Sequence, residues 1–192
     1  MRIKKSDVIQ TAADMADKNG LSNVSLKAVA ESLNIRTPSL YNHIDSLEAL
    51  LREIAHNGMK TMNERIMQAA IGKIGDDAIK SVGITYLNYM IEHPGIYETI
   101  QWATWHGTEE TGKIFDNYLA LLKTLALSCN FNPVNIDEIL NLLTGVLHGY
   151  TTLQLRYAFT KPDEVRTALS SALDTVLAGL HQKYDQHEKE HL

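Results

Sequence analysis

The last residues of the chain carry a spacing that could support metal chemistry. His187-Glu188-Lys189-Glu190-His191 fits the H-E-x-x-H pattern, in which two histidines one helical turn apart bind zinc and the glutamate serves as a general base. A zinc hydrolase also needs a third ligand further along the chain and a dry cleft around the metal. We therefore expect a solvated, charged tail here, with no catalytic residue, no metal site and no cofactor.

Residues 25–44 hold side chains of the types that read DNA. Small and aliphatic residues such as Ala30 and Leu40 would allow two short helices to cross closely. The second helix would then present short polar groups to base edges in the major groove, with larger polar groups at its flank for phosphates. A plain helical hairpin would satisfy the same apolar pattern, so the residues alone leave both interpretations open. The candidates for base edges are Thr37 and Ser39, and those for phosphates are Tyr41, Asn42 and His43.

These side chains must be positioned by helices, because helical periodicity dominates the whole sequence and no strand pattern is convincing. Ser25 is a suitable N-cap for a second short helix, and Asn34 tolerates the left-handed turn that would follow it. A third helix is predicted from Thr37 to Ile44. We predict an all-α protein of about nine helices, with a three-helix helix-turn-helix domain over residues 1–46 and a larger helical ligand-binding and dimerisation domain over 47–192.

The composition is that of an ordinary folded protein. The chain has 192 residues, of which 44% are apolar and 21% charged. A single cysteine, Cys129, allows no internal disulfide, and the N-terminus shows no signal peptide. No apolar run is long enough to span a bilayer. We expect a cytoplasmic protein without a membrane partner.

The charge is distributed unevenly along the chain. The net charge is −5, yet residues 1–60 hold eight basic against seven acidic residues, whereas residues 61–192 hold ten against sixteen. The more basic third is the one predicted to meet phosphates. Ordinary fluctuation of charge along a sequence would explain this difference equally well.

Residues 4–56 resemble the DNA-binding domain of the TetR family. The resemblance is carried by Leu-Lys-Ala-Val-Ala at 26–30 and by Ser-Leu-Tyr-Asn-His at 39–43. It implies that Ser25 places a helix N-terminus against a phosphate, that Lys27 contacts a phosphate, and that Arg36 contacts a base or the backbone. The implied DNA-binding residues are Ser25, Lys27, Arg36, Thr37, Ser39, Tyr41, Asn42 and His43.

The second half also resembles part of that family. Trp102 to Gly107 is similar to the Trp-His-Gly signature of one of its C-terminal domain types, and the looser likeness covers about residues 75–185. It implies a ligand pocket and a dimer built by the last two helices. Residues 139–155 contain no charged side chain, which independently indicates a helix buried on more than one side. The apolar stripe of the last helix supplies the expected dimer contacts Leu169, Leu173, Val176 and Leu180.

Aromatic and polarisable side chains in this half are candidates for a ligand pocket. Each of them could equally be a core residue whose polar tip is satisfied. The candidates are Tyr86, Tyr89, Met90, Trp102, Trp105, His106, Tyr118 and His148.

Together these features predict a transcriptional repressor that binds a palindromic double-stranded operator as a homodimer and is released by a small-molecule effector. Two other classes of protein remain as alternatives. One is a DNA-binding protein that needs no effector, and the other is an enzyme on a helical scaffold. No nucleophile elbow or phosphate-binding loop favours the enzyme.

Overall fold

The computed structural model describes residues 3–159 and 161–184. Those residues form nine α-helices joined by short turns and contain no β-strand, so the predicted all-α class is confirmed. None of the described helices is both long and apolar enough to cross a membrane. His187 to His191 lies outside the described residues. The helices are α1 Lys5–Asn19, α2 Leu26–Ser32, α3 Thr37–Leu40, α4 Leu47–Ala70, α5 Gly75–Glu92, α6 Pro94–His106, α7 Glu109–Leu127, α8 Ile136–Leu155 and α9 Val165–Tyr184.

The chain divides into two compact units, and neither is a single stretch of sequence. The first, here called the head unit, consists of residues 3–61 and 92–115, and it holds α1 to α3, most of α4, α6 and the start of α7. The second, here called the bundle unit, consists of residues 62–91, 116–159 and 161–184. From the sequence we predicted a domain boundary after residue 46, where the three short helices end. No sequence pattern indicated that α6 groups with those helices.

The head unit is organised around the apolar face of α1. Val8, Ala12 and Ala16 are fully buried or nearly so, and Val29 and Leu40 from the next two helices are buried in the same cluster. Alanines along this face allow close approach of the neighbouring helices. The small volume of these side chains is what lets three short helices share one core.

The turn between α2 and α3 has the geometry that the sequence indicates. Asn34 adopts φ 54°, so the predicted left-handed residue is confirmed. The backbone N–H of Ile35 donates to the carbonyl of Ala30 at 3.0 Å, which reverses the chain after α2.

The third helix is shorter than predicted. It runs only from Thr37 to Leu40, and a turn covers the next three residues instead of a helix reaching Ile44. The reason lies in the hydrogen bonds, because the N–H groups of Asn42 and His43 donate to carbonyls only three residues earlier, those of Ser39 and Leu40, at 3.4 and 2.8 Å. The regular i to i+4 ladder therefore ends there.

Helix α6 begins against the end of α1 through a shared carboxylate. Asp17 Oδ1 accepts hydrogen bonds from the backbone N–H of Gly95 at 2.8 Å and of Ile96 at 3.1 Å, while Asp17 Oδ2 lies 2.9 Å from His93 Nδ1. These N–H groups have no partner within the helix, and an anion there also faces the positive end of the helix dipole. The carboxylate of α1 thus acts as the cap of α6.

The bundle unit has a continuous aliphatic core. Leu169, Leu173 and Leu177 of α9 are at most 1% exposed, and α9 packs on α8. A Cβ atom at Gly83 of α5 would lie 3.0 Å from a methyl group of Leu173 and 3.1 Å from one of Leu147, so three helices meet tightly at that glycine. The apolar stripe of α9 is buried within its own subunit.

Gly95→Ala should destabilise the head unit strongly. Its Cβ atom would overlap backbone atoms of Ala16 and Asp17, which cannot rotate away as a side chain could. We expect a loss of about 3 kcal/mol or more in the free energy of unfolding, as for severe overpacking. The matched control is Gly112→Ala on α7, where nothing lies within 4 Å of the new atom and alanine favours helix by about 1 kcal/mol. Thermal denaturation of both variants decides, and equal melting temperatures would contradict the close approach.

Candidate nucleic-acid interface and candidate effector cavity

Helices α2 and α3 present the predicted DNA-binding side chains. The hydroxyl of Ser25 accepts a hydrogen bond from the N–H of Ala28 at 3.1 Å, so Ser25 is the N-cap of α2 as predicted. Pro38 lies in the first turn of α3, where its missing N–H costs nothing. Leu40 is fully buried and anchors α3 in the core.

The structure leaves all eight of the predicted DNA-binding side chains accessible to solvent. Tyr41 is 57% exposed, so most of its side chain is open to solvent. The three half-buried residues lie on α3 or in the turn after it. The exposed residues are Ser25, Lys27, Arg36, Tyr41 and Asn42, and the half-buried ones are Thr37, Ser39 and His43.

Two cations lie on this surface. Lys27 Nζ is 3.9 Å from Glu31 Oε1, and both side chains are more than 60% exposed. An exposed ion pair of this kind contributes little to stability, so a phosphate can take the place of Glu31 at small cost. Arg36 is exposed at the N-cap position of α3, and its side chain makes no capping hydrogen bond. Both cations are therefore available for contacts with DNA backbone or bases.

The bundle unit contains a cavity bounded by three helices. Ile79 and Val82 of α5 and Leu122 and Leu125 of α7 form two of its sides. The third side consists of Leu140, Leu143, Thr144 and Leu147 of α8. The volume of this cavity is ≈ 20 Å³, which is enough for about one water molecule.

Comparison with known proteins decides the family. Residues 79–176 match the tetracyclin repressor-like, C-terminal domain family. The HTH-type transcriptional regulator YobS of Bacillus subtilis is 30% identical over 174 residues, which are 90% of this chain and 90% of YobS. The chain belongs to the TetR family. The resemblance seen in the sequence is thereby confirmed, and the protein is a transcriptional regulator of that family.

Solved structures share the fold of this TetR-family regulator. A protein from Rhodococcus sp. RHA1 superposes with a TM-score of 0.82 at 16% identity, covering 94% of this chain and 96% of that one. A variant of TetR from Acinetobacter baumannii AYE in complex with minocycline gives a TM-score of 0.72 at 19% identity, with 96% and 100% covered. At these identities the likeness concerns the fold.

The predicted ligand-binding residues of the TetR-family chain are divided between the two units. None of them is among the residues that line the cavity. In the head unit, Trp102 is half-buried and stacks on His106 with ring centroids 4.6 Å apart, whereas Trp105 is 87% exposed. A side chain exposed to that extent has no enclosing wall around it. Tyr86, Tyr89, Met90 and Tyr118 are buried in the bundle unit, and His148 is half-buried there.

A polar pair lies on α5 and α8, one turn beyond the cavity. The hydroxyl of Tyr86 is 3.4 Å from both ring nitrogens of His148, and the two rings meet edge to face. Burial lowers the pKa of His148 below its ordinary value and raises the pKa of Tyr118. His148 and Tyr118 are therefore both uncharged at neutral pH.

The residues that line the cavity were missed because they are aliphatic. A leucine stripe at helical spacing predicts a buried face, and nothing in the stripe tells which of its members leave space between them. The alternation of Leu140, Leu143 and Leu147 with Thr144 is the one local signal, since threonine is less common on a fully buried face.

Three of the four predicted dimer contacts lie inside the subunit. Leu169, Leu173 and Leu180 are at most 5% exposed in the single chain, so they offer little surface to a partner helix. Val176 is half-buried and is the one of the four that reaches the surface of α9.

A buried histidine joins α4 to the start of α7 within the head unit. His56 Nε2 lies 2.7 Å from Thr111 Oγ1, and both residues are at most 5% exposed. The same threonine hydroxyl accepts from the N–H of Thr108 at 3.0 Å. Burial lowers the pKa of His56 below its ordinary value of 6.5 and outweighs the opposing effect of Glu110.

The stability of the protein should fall as the pH drops below about 6.5. His56 and His148 both have pKa values lowered by burial, so the unfolded chain binds protons that the folded chain does not. The two histidines therefore make their full contribution to the free energy of unfolding above pH 6.5. Below that pH their contribution decreases, by at most about 1.4 kcal/mol per pH unit for each histidine. Urea denaturation at pH 5.5 and 7.5 measures this difference. His56→Gln and His148→Gln should each reduce it, and an undiminished difference in the double variant would contradict the assignment.

Proposed function

We propose that this TetR-family regulator is a repressor that binds a palindromic operator as a homodimer and leaves it when a small molecule binds the bundle unit. The relatives found are transcriptional regulators rather than enzymes, and we propose a non-catalytic, cytoplasmic role for this chain as well. Each subunit would place one α3 in the major groove of a half-site.

The observation that carries DNA binding is the arrangement of α2 and α3. Leu40 is fully buried, whereas the neighbouring Ser39 and Tyr41 are accessible to solvent. The helix is thus held firmly by its apolar side while its polar side is free to approach bases. Short hydroxyl side chains at Thr37 and Ser39 permit the close approach that direct contact with base edges requires.

Support for an effector comes from a structural neighbour, and the small cavity of the bundle unit marks a place where such a molecule could enter the core. The Acinetobacter baumannii TetR variant was solved in complex with minocycline, so the shared fold accommodates a small molecule in that protein. A ligand lowers operator affinity only if it binds the DNA-incompetent state more tightly, and the typical coupling is about 1–3 kcal/mol.

The surface proposed for the homodimer is the outward stripe of α8. Leu142 and Leu153 are 47% and 45% exposed, which is high for leucine, and they lie on one side of the helix. Between them are Gly145 and Gly149, where nothing lies within 4 Å of an added Cβ atom. A partner helix can therefore approach the α8 backbone closely. An isologous pair of such faces would form a two-fold dimer.

Substitutions on the proposed DNA-binding surface should have two kinds of effect on operator affinity. An operator is first selected from a random double-stranded library with the purified protein, and affinities are measured by fluorescence anisotropy. Lys27→Ala and Tyr41→Phe should weaken binding similarly for all sequences, because phosphates carry no sequence information. Arg36→Ala or Ser39→Ala, where the side chain contacts a base, should cost about 1–3 kcal/mol and relax one position per half-site.

The control for charge alone is Lys123→Ala, an exposed lysine of the bundle unit. It should leave operator affinity unchanged. Binding must also weaken steeply with added salt, as counterion release requires. Affinity that is indifferent to salt and to all four head-unit substitutions would refute the placement of the DNA-binding surface.

Leu142→Arg should convert the dimer into a folded monomer. The new charge would be buried without a partner between two α8 helices, whereas it is solvated in the separate subunit. Leu119→Arg on α7 is the matched control, since Leu119 is 45% exposed and lies on another helix. Light scattering after size-exclusion chromatography gives the mass. A Leu142→Arg protein that remains dimeric would exclude this face of α8.

A further inference from the structure

The sequence contains two Asn-Gly dipeptides, Asn19-Gly20 and Asn57-Gly58, and both belong to the head unit. In such a pair the backbone nitrogen of the glycine can attack the side-chain amide of the asparagine, because glycine has no Cβ atom to hinder the approach. Both asparagines are exposed to solvent. The two sites therefore share the same local chemistry and the same access to water, and they differ in the backbone that surrounds them.

The first dipeptide lies where α1 ends. Asn19 is the last residue of the helix, and Gly20 leaves it with φ 82° and ψ 153°. The N–H of Gly20 donates the last backbone hydrogen bond of α1, to the carbonyl of Ala16 at 2.9 Å, and the side-chain amide of Asn23 donates to the carbonyl of Asn19. Once these two hydrogen bonds open, the peptide can rotate into the position for attack. Helix ends open at little cost in free energy.

The second dipeptide lies in the middle of α4. Gly58 is buried, and a Cβ atom added to it would overlap the side chain of Ile96 on α6. Rotation of the peptide between Asn57 and Gly58 would break hydrogen bonds in the interior of a 24-residue helix and disturb this close contact. Such an opening costs much more than fraying of a helix end. The structure thus protects Asn57 and leaves Asn19 open to attack.

We propose that Asn19 is a site of spontaneous deamidation, through which the head unit is modified as the protein ages. The backbone nitrogen of Gly20 gives up its proton to a base and forms a bond to Cγ of Asn19. The bond from Cγ to the amide nitrogen breaks, and that nitrogen takes up a proton and leaves as ammonia. Water, the only co-reactant, then opens the cyclic imide at either carbonyl and gives aspartate or isoaspartate.

The segment after Asn19 leads directly to the proposed DNA-binding surface. The N–H of Leu21 donates to Glu98 Oε2 at 3.1 Å. Val24 is buried in the core of the head unit, and Ser25 caps α2. Isoaspartate lengthens the main chain just before this segment, and aspartate places a negative charge at the C-terminal end of α1, where the helix dipole is already negative. Both products should weaken operator binding, a consequence that rests on the proposed function.

The first experiment incubates the purified full chain at mildly alkaline pH and follows both Asn-Gly peptides by proteolysis and mass spectrometry. In the folded protein Asn19 should deamidate at least about tenfold faster than Asn57, because a helix end opens more readily than a helix interior. In urea the two rates should become similar, since the same dipeptide then reacts without a fold around it. The rate at Asn19 should also rise with pH, because the attacking nitrogen must lose its proton.

The second experiment measures operator affinity before and after the same incubation. Asn19→Gln is the matched control, since glutamine keeps the amide but would have to form a larger ring, which closes more slowly. Operator binding by the wild-type protein should decline with the fraction of chains modified at residue 19, whereas the incubated Asn19→Gln protein should keep its affinity. Freshly prepared Asn19→Asp, which carries the charge of one product, should bind operator several-fold more weakly than Asn19→Gln.

Two results would overturn the proposal. Equal rates at Asn19 and Asn57 in the folded protein would show that the end of α1 is not a preferred site. Equal losses of operator affinity in the incubated wild-type and Asn19→Gln proteins would show that modification of Asn19 does not affect DNA binding. Failure of the proposed function is distinguishable, since fresh protein would then not bind an operator while the rates at the two asparagines stay as expected.

Discussion

The carboxylate of Asp17 determines how the head unit is assembled. It caps the first turn of α6 with two backbone hydrogen bonds and contacts His93 with its other oxygen. Because Gly95 allows the backbones of α1 and α6 to touch, this one side chain orients an entire helix that is distant in sequence. The apolar face of α1 packs against both α2 and α6, and Leu40 of α3 belongs to the same apolar cluster. The side chains that we propose to contact DNA are held in place by a helix that is itself fixed from both sides.

The bundle unit differs from the head unit in how its core is packed. Its core is aliphatic and well packed around Gly83, yet it retains a small cavity. Two buried polar atoms on α8, Thr151 Oγ1 and Gln154 Oε1, have no hydrogen-bond partner within the part of the chain that the structure describes. Each of these features lowers stability relative to a filled and satisfied core. Natural proteins retain such destabilising features mainly at functional sites, such as sites that bind a ligand. This difference in packing agrees with the different tasks that we propose for the two units.

Much of the fold could be predicted from local patterns. The left-handed Asn34 and the cap at Ser25 both follow from short-range propensities, and the structure agrees with them. The predicted C-terminal end of α3 was wrong. The hydrogen bonding changes within one turn there, and such a change leaves no trace in the pattern of apolar and polar residues. The contact between Asp17 and His93 had no local signal, because 76 residues separate the two.

Candidate site residues could be named from the sequence only where the chemistry of a side chain and its expected exposure indicate the same role. Polar residues on a short helix have few roles, so the DNA-binding candidates could be named residue by residue. A pocket is defined by space that no residue fills, and the aromatic residues chosen for it are either packed, as Tyr89 is, or open to solvent, as Trp105 is. The apolar stripe of α9 shows the same limit of prediction from sequence. Periodicity reveals that Leu173 is buried but not whether its own chain or a second copy covers it.

The head unit is assembled from two separate segments of the chain, residues 3–61 and 92–115. Recombination between two related genes with one crossover after residue 61 would therefore combine α1 of one parent with α6 of the other. Asp17 and Gly95 would then come from different lineages, and their fit would depend on chance. Exchange of complete DNA-reading heads requires three junctions, which makes the modules of this protein far less interchangeable than their order along the gene suggests.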